Sequence, residues 1–312
     1  MSVTSRLAAR GRTRTSAWGR RRSLAGMAYA LPTLVFVVVF FVWPLLLVGQ
    51  MSASDWKLLT GDKGINFPTN YGALNNNPLF WPAVEFTIRY TVIVTVLLIG
   101  LGLGLALVVQ ESSRWIGMLR TVFLIPLAVG LAAASLLFWG FYSDSIGPVN
   151  PILQGIGLID KPILFFATHT AAFLSTVFMI VWKFVGLYML ILLVGLQAIP
   201  TELYEAASID GAGPWQQIKA ITVPLLKPTM SLVLILQILA SLKVFDQIYI
   251  LLAGGPNYTT RPVIEYIYDT GFTAYRGGYA AAATMVYFVV LVAVSVLWLL
   301  LRRRPSTNPA NA

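Results

Sequence analysis

Apolar residues run along this chain in six blocks: about 28–50, 84–109, 118–142, 170–199, 229–252 and 279–301. Each is long enough to cross a bilayer as a helix, which takes about 20 residues. Together they predict an all-α protein of six membrane-spanning helices. The first block follows an arginine-rich stretch, as a secretory signal would. It is longer than the usual 7–15-residue apolar region of such signals, so it reads as an uncleaved first span. Between blocks the chain carries turn residues. Gly61, Gly64, Pro68, Gly72, Pro78 and Pro82 mark the segment before the second span. Pro148, Pro151 and Pro162 surround an apolar stretch, Ile152 to Ile159, which predicts a short helix lying in the interface. Gly254-Gly255-Pro256 is a strong helix stop.

Composition agrees with this pattern. Of 312 residues, 57% are hydrophobic and only 11% charged. About a quarter would be charged in a soluble domain. Such a chain is neither an ordinary soluble domain nor a disordered one. It contains no cysteine, which removes disulfides, thiolate chemistry and zinc–thiolate sites. A single histidine, His169, argues against a histidine metal site or a catalytic triad, so no catalytic or metal-binding residue is assigned.

The net charge of +10 lies in two tails. Seven arginines precede residue 23, and Arg302, Arg303 and Arg304 close the last span. Neither tail carries an acid, and the body between them is balanced. The surplus therefore flanks apolar spans and does not point to nucleic acid. Basic residues favour the cytoplasmic ends of spans. With the N-terminus inside, fourteen basic residues fall on cytoplasmic segments and five on outer loops. Both termini are thus expected in the cytoplasm of a bacterial plasma membrane. Residues 1–27 and 302–312 form basic tails, and 28–301 the transmembrane domain, with its core over about 85–300.

One inside segment breaks the basic rule. Residues 200–228 carry Glu202, Glu205 and Asp210 against Lys219 and Lys227. Their spacing predicts two short helices. Thr201 is positioned to cap the first. Gly211 can adopt the positive φ that ends it. Pro214 suits the first turn of the second, and Pro224 is expected to close it. Leu203, Ala206, Ala207 and Ile209 offer a small apolar surface that the unit cannot bury alone.

Glu205-Ala206-Ala207, then Gly211, Ile221 and Pro224, follow the spacing of a long motif. The segment resembles the cytoplasmic loop of permease subunits from binding-protein-dependent ATP-binding-cassette (ABC) importers. Val223 stands where leucine is usual. Val244 to Pro256, Tyr266-Ile267-Tyr268 and Gly278-Tyr279-Ala280 are similar to the maltose-type and glycerol-phosphate-type carbohydrate group, and to the first of its two paired permeases. The resemblance implies a type I importer fold and a second homologous permease. It also implies two ATPase subunits that bind ATP and magnesium, and a substrate-binding protein outside. Glu205, Ala206, Ala207, Asp210, Gly211, Ile221 and Pro224 would then form the ATPase-coupling loop. No glycine-rich phosphate loop with lysine occurs, so this chain is not expected to bind ATP or to be an enzyme.

The same resemblance places midmembrane sugar contacts at Gln237, Ala240, Ser241 and Val244, and at Phe184, Val185 and Tyr188. Gln237, Ser241 and Tyr188 can form hydrogen bonds, and Phe184 can stack on a sugar ring. Ala240, Val185 and Val244 depart from the family's polar residues. Ionisable groups inside spans mark pathways or structural pairs. Lys183 is open to both readings. Lys243 and Asp246 are expected to share a helix face as a neutralised pair. Glu85 and Arg89 are expected to pair at the outer end of the second span. Gly100, Gly102 and Gly104 would let helices approach closely. The expected substrate is a di- or oligosaccharide, with glycerol 3-phosphate or a phosphodiester as the alternative. A six-span secondary transporter and an integral membrane enzyme are the competing classes; the first has only Asp246 as an ion-relay acid within its spans, and the second has one histidine, no cysteine and no clustered acids.

Overall fold

The computed structural model describes residues 29–111 and 113–302. The two basic tails fall almost wholly outside them. Five helices are long and apolar enough to cross a membrane: α1 (Tyr29–Ser52), α3 (Phe80–Val108), α7 (His169–Gln197), α9 (Pro214–Leu242) and α12 (Gly277–Leu301). The helices α4 (Arg114–Ala128) and α5 (Leu131–Tyr142) reach that length and apolarity only together, as a broken span or a re-entrant loop, and they meet at 94°. The block at 118–142 is therefore two helices with a sharp break, not one straight helix. Val129, immediately after Ala128 ends α4, is extended at that break.

Shorter elements fill the connections. A two-stranded antiparallel hairpin, β1 (Ser54–Lys57) and β2 (Gly61–Ile65), follows α1. It adds a small sheet to a fold that the apolar blocks predict as all-α. Short helices follow: α2 (Thr69–Asn75), α6 (Val149–Gly155), α8 (Thr201–Ile209), α10 (Asp246–Leu252) and α11 (Val263–Tyr268). The α6 helix overlaps the interfacial stretch expected over 152–159.

The core lies between α3 and α7. Phe86, Tyr90, Val94 and Leu98 recur every fourth residue on α3 and are buried. They meet the buried Val177, Ile180, Tyr188 and Leu192 of α7 within one cluster. Ile88, Val92 and Val96 recur on another α3 face and are exposed. A helix that is apolar on both packed and exposed faces is a membrane helix. Of the three expected glycines, only Gly102 serves close approach. A Cβ there would stand 3.0 Å from the Cβ of Tyr188, whereas Gly100 and Gly104 face open space.

Two prolines are absorbed without ending their helices. Proline lacks an N–H and leaves the carbonyl four residues back without its partner. In α1 a π-helical turn, Val38–Val42, runs up to the Trp43-Pro44 pair. In α9 a second one, Ile218–Thr222, runs up to Val223-Pro224. In each, the N–H just before the proline bonds five residues back, Trp43 to Val38 and Val223 to Ile218. The slip of one residue carries the helix through the proline. Pro224 thus does not close a short helix. The second arm of the 200–228 segment is continuous with the span, which begins at Pro214 and not near 229.

That span also ends sooner than its hydropathy suggests. It stops at Leu242, and a separate helix starts at Asp246. Lys243 and Asp246 lie on opposite sides of this break, so they share no helix face. Arg89 lies against Nε2 of His169 rather than pairing with Glu85. The ion pair that the described residues do form is Arg261 with Asp269, at 2.9 Å.

Candidate functional site

The motif segment forms a helical hairpin at one end of the bundle. Pro200, not Thr201, occupies the N-cap of α8, and Thr201 is the first helical residue. The C-terminus closes as a Schellman motif. Ala212 N–H donates to Ala207 O at 2.9 Å, and Gly211 N–H donates to Ser208 O at 3.1 Å. Gly211 has φ +81°, a conformation that only glycine adopts without strain. Gly213 N–H then donates to Gln216 Oε1 at 2.9 Å, which starts α9. Gln217 ties the arms together through Ser208 Oγ at 2.8 Å, and the Tyr204 and Thr222 hydroxyls meet at 3.0 Å.

None of the side chains of α8 is buried. Glu205, Ala206, Asp210, Gly211 and Pro224 are exposed, while Ala207 and Ile221 are half-buried. Leu203, Ile209 and Trp215 are exposed too, Ile209 to 87% and Trp215 to 75%. An internally braced unit that holds acids and large apolar groups outward offers the mixed chemistry of an interaction patch.

A second feature lies inside the bundle. A cavity of about 390 Å³ opens between α7, α9 and α10. Its wall includes Phe184, Tyr188, Gln237, Ala240, Ser241 and Val244, so the structure gathers these sequence-selected positions in one place. The Tyr188 hydroxyl donates to Gln237 Oε1, and Gln237 Nε2 donates to Ser241 Oγ at 2.7 Å. All three are buried. Neutral groups in such a chain can rotate outward to meet hydroxyls of a guest, and the Phe184 ring beside them offers a face for stacking.

Lys183 and Val185 do not line this cavity. The Lys183 ammonium, 3% exposed, donates to the carbonyls of Pro126 and Val129. These carbonyls belong to the broken end of α4, where Pro126 O also accepts the Val129 N–H at 3.3 Å and Val129 O has passed the last helical donor. A cation is favoured at such an end by the helix dipole. Arg120 does the same for α3, donating to the carbonyls of Val109, at 3.0 Å from Nε, and Glu111. Both cations therefore serve helix ends. Lys243 and Asp246, by contrast, do line the cavity, together with Tyr90, Phe245 and Gln247.

Tyr90, Phe245 and Gln247 are residues that sequence reasoning missed. The Tyr90 hydroxyl faces the Gln247 side chain across the cavity. An amide directly after Asp246 in an apolar run was a usable signal. Tyr90 had only its place in a four-residue repeat. Glu265 was missed as well. It is 1% exposed, its Oε2 has no hydrogen-bond partner, and burial, with Asp269 nearby, pushes its carboxyl up to about 8.

An apolar bundle around a polar-walled cavity, with a braced hairpin projecting from one end, defines a membrane transport protein. The chain belongs to the family of binding-protein-dependent transport system inner membrane components, which matches residues 97–307. A probable ABC transporter permease protein of Bacillus subtilis (strain 168), YurN, is 32% identical, over 86% of this chain and 92% of its own. The trehalose/maltose transport system permease protein MalF of Thermococcus litoralis is 32% identical, over 91% and 96%. In the solved bacterial alginate ABC transporter, in complex with an alginate pentasaccharide-bound periplasmic protein, one chain superimposes with a TM-score of 0.81. It is 25% identical and covers 92% of this chain and 97% of its own. The type I importer permease fold is thereby established for this chain.

Proposed function

We propose that this chain forms half of the membrane pathway of an ATP-driven importer for a di- or oligosaccharide. The cavity carries the reading. Its hydrogen-bond chain, Tyr188 to Gln237 to Ser241, is neutral and stands beside the Phe184 ring, which suits hydroxyls and a pyranose face. The trehalose/maltose permease among the relatives supports the same substrate class. The phosphate alternative relies on Lys183 and Lys243; Lys183 is engaged by helix-end carbonyls, and Lys243 lines the cavity together with Asp246, whose carboxylate opposes a phosphate.

The partners follow from the family. A second, homologous permease completes the pathway. Two ATPase subunits, which hold ATP and magnesium, dock on Glu205, Ala206, Ala207, Asp210, Gly211, Ile221 and Pro224. A binding protein delivers substrate from outside. The bias of basic residues supports cytoplasmic termini and places the 200–228 hairpin on the cytoplasmic side.

The test is uptake into proteoliposomes holding the full complex and its binding protein. The panel is trehalose, maltose, lactose, an alginate oligosaccharide and glycerol 3-phosphate. ATP-dependent entry of at least one saccharide, without glycerol 3-phosphate, is expected. Entry of glycerol 3-phosphate alone would overturn the sugar reading.

A further inference from the structure

A second pocket of about 550 Å³ lies at the end of the bundle away from the 200–228 hairpin. Chain direction fixes its place. The α9 helix leaves the hairpin at Pro214, and the segments after it, from Ala253 to Arg276, form the pocket before α12 returns. Its wall is aromatic and cationic. Arg261 sits 4.6 Å from the Tyr258 ring centroid and 5.3 Å from that of Tyr266. Arg276 lies 4.4 Å from the Tyr279 ring.

The polar atoms there are not all used. Arg261 is 6% exposed and gives Nη1 to Asp269, yet its Nε has no partner. Arg276 is exposed, and its recorded contact is the Tyr279 face. Planar guanidinium and carboxylate groups can each hold two neighbouring hydroxyls, and the Tyr249 ring, which no arginine among the described residues covers, can stack on a pyranose ring.

A line of rings connects this pocket to the inner cavity. Tyr249 belongs to the outer wall and Phe245 to the inner one. Their rings are stacked, 5.2 Å apart at an angle of 21°. Tyr268 packs against both, at 5.2 and 5.5 Å.

We infer that the outer pocket is a first carbohydrate subsite, and that the Tyr249–Phe245 stack passes the sugar ring from it to the inner cavity. Arg276 and Asp269 hold hydroxyls, and Tyr249 supplies the stacking face. This rests on the saccharide reading above.

The absence of native cysteine allows a direct test on the full transporter with its binding protein. Ala274→Cys places a thiol on the pocket wall, and Ile65→Cys places one on the exposed β-hairpin. Labelling by a membrane-impermeant maleimide is read on this chain, with trehalose, maltose, lactose and alginate oligosaccharide as probes. The transported sugar is expected to protect Ala274→Cys and not Ile65→Cys. Adding Tyr249→Ala or Arg276→Ala should raise the protecting concentration on the order of tenfold. Phe245→Ala should slow uptake while leaving protection intact. Entry of a sugar that does not protect Ala274→Cys would overturn the subsite alone. Protection by unloaded binding protein would also overturn it, by making the pocket a protein contact. If no sugar enters and none protects, both readings fall.

Discussion

The 200–228 hairpin and the inner cavity are built in opposite ways. The hairpin is held by bonds that span few residues: Ala212 to Ala207, Gln217 to Ser208, Gly213 to Gln216. It needs no burial, and its chemistry faces outward. The cavity is held by contacts across long stretches of chain, such as Tyr188 with Gln237 and Lys183 with Pro126. Its shape depends on two helix breaks, at 129–130 and 243–245. Local order is specified by local sequence, so one region tolerates an altered bundle and the other does not.

The comparison breaks most sharply at Gly211. A valine there must hold φ near +81°, a strain of about 1–2 kcal/mol in a short hairpin. Gly211→Val is expected to abolish co-purification of the ATPase and to reduce coupled ATPase activity more than tenfold. Thermal unfolding of the bundle should hardly move, because α8 buries no side chain. Normal coupling in this variant would show that the hairpin's conformation is not what the ATPase reads.

The second effect falls on stability. Lys183→Met leaves the Val129 carbonyl without its donor, and Pro126 O with the Val129 N–H alone, at a cost of about 1–3 kcal/mol. A lower unfolding temperature in detergent is expected, together with unchanged preference among sugars. A changed preference at full stability would return Lys183 to the pathway. Smaller still is Tyr188→Phe, which cuts the chain to Gln237 and keeps the ring. A loss of about 0.5–1.5 kcal/mol is expected, a few-fold in uptake KM, with ATPase association intact.

This contrast also explains what was legible. The hairpin, its left-handed glycine and its two arms follow from residues a few positions apart, and only the caps differ: Pro200 for Thr201, and a π-helical turn that carries the helix through Pro224. The spans were legible as apolar blocks. Their breaks were not, because hydropathy is blind to an extended Val129 or to a helix end at Lys243. Cavity residues on α7 and α9 were found by resemblance and spacing. Tyr90 and Gln247 face each other across segments more than 150 residues apart, and no local pattern marks such a pair. Lys183 looked like a pathway charge because the helix end that it serves is invisible until the fold is known.

The finest test concerns Glu265, which is buried by long-range packing, as the cavity is. Its carboxyl is pushed up to about 8, first by burial and then by Asp269, with Arg261 opposing. In an unfolded chain it releases its proton near the ordinary carboxylate value. Between that value and about pH 8 the folded state therefore holds one more proton than the unfolded state. Stability must fall as pH rises through this window, and level off above it. Glu265→Gln cannot titrate, so the variant should lose this part of the slope. Unfolding temperatures at pH 6 and pH 8 should differ less for the variant than for the parent chain, by on the order of 2 °C. Identical slopes would mean that the carboxyl is already ionised in the folded protein. The region around α11 would then be as open to water as the hairpin, and the contrast between the two kinds of site would not extend to the end of the bundle away from the hairpin.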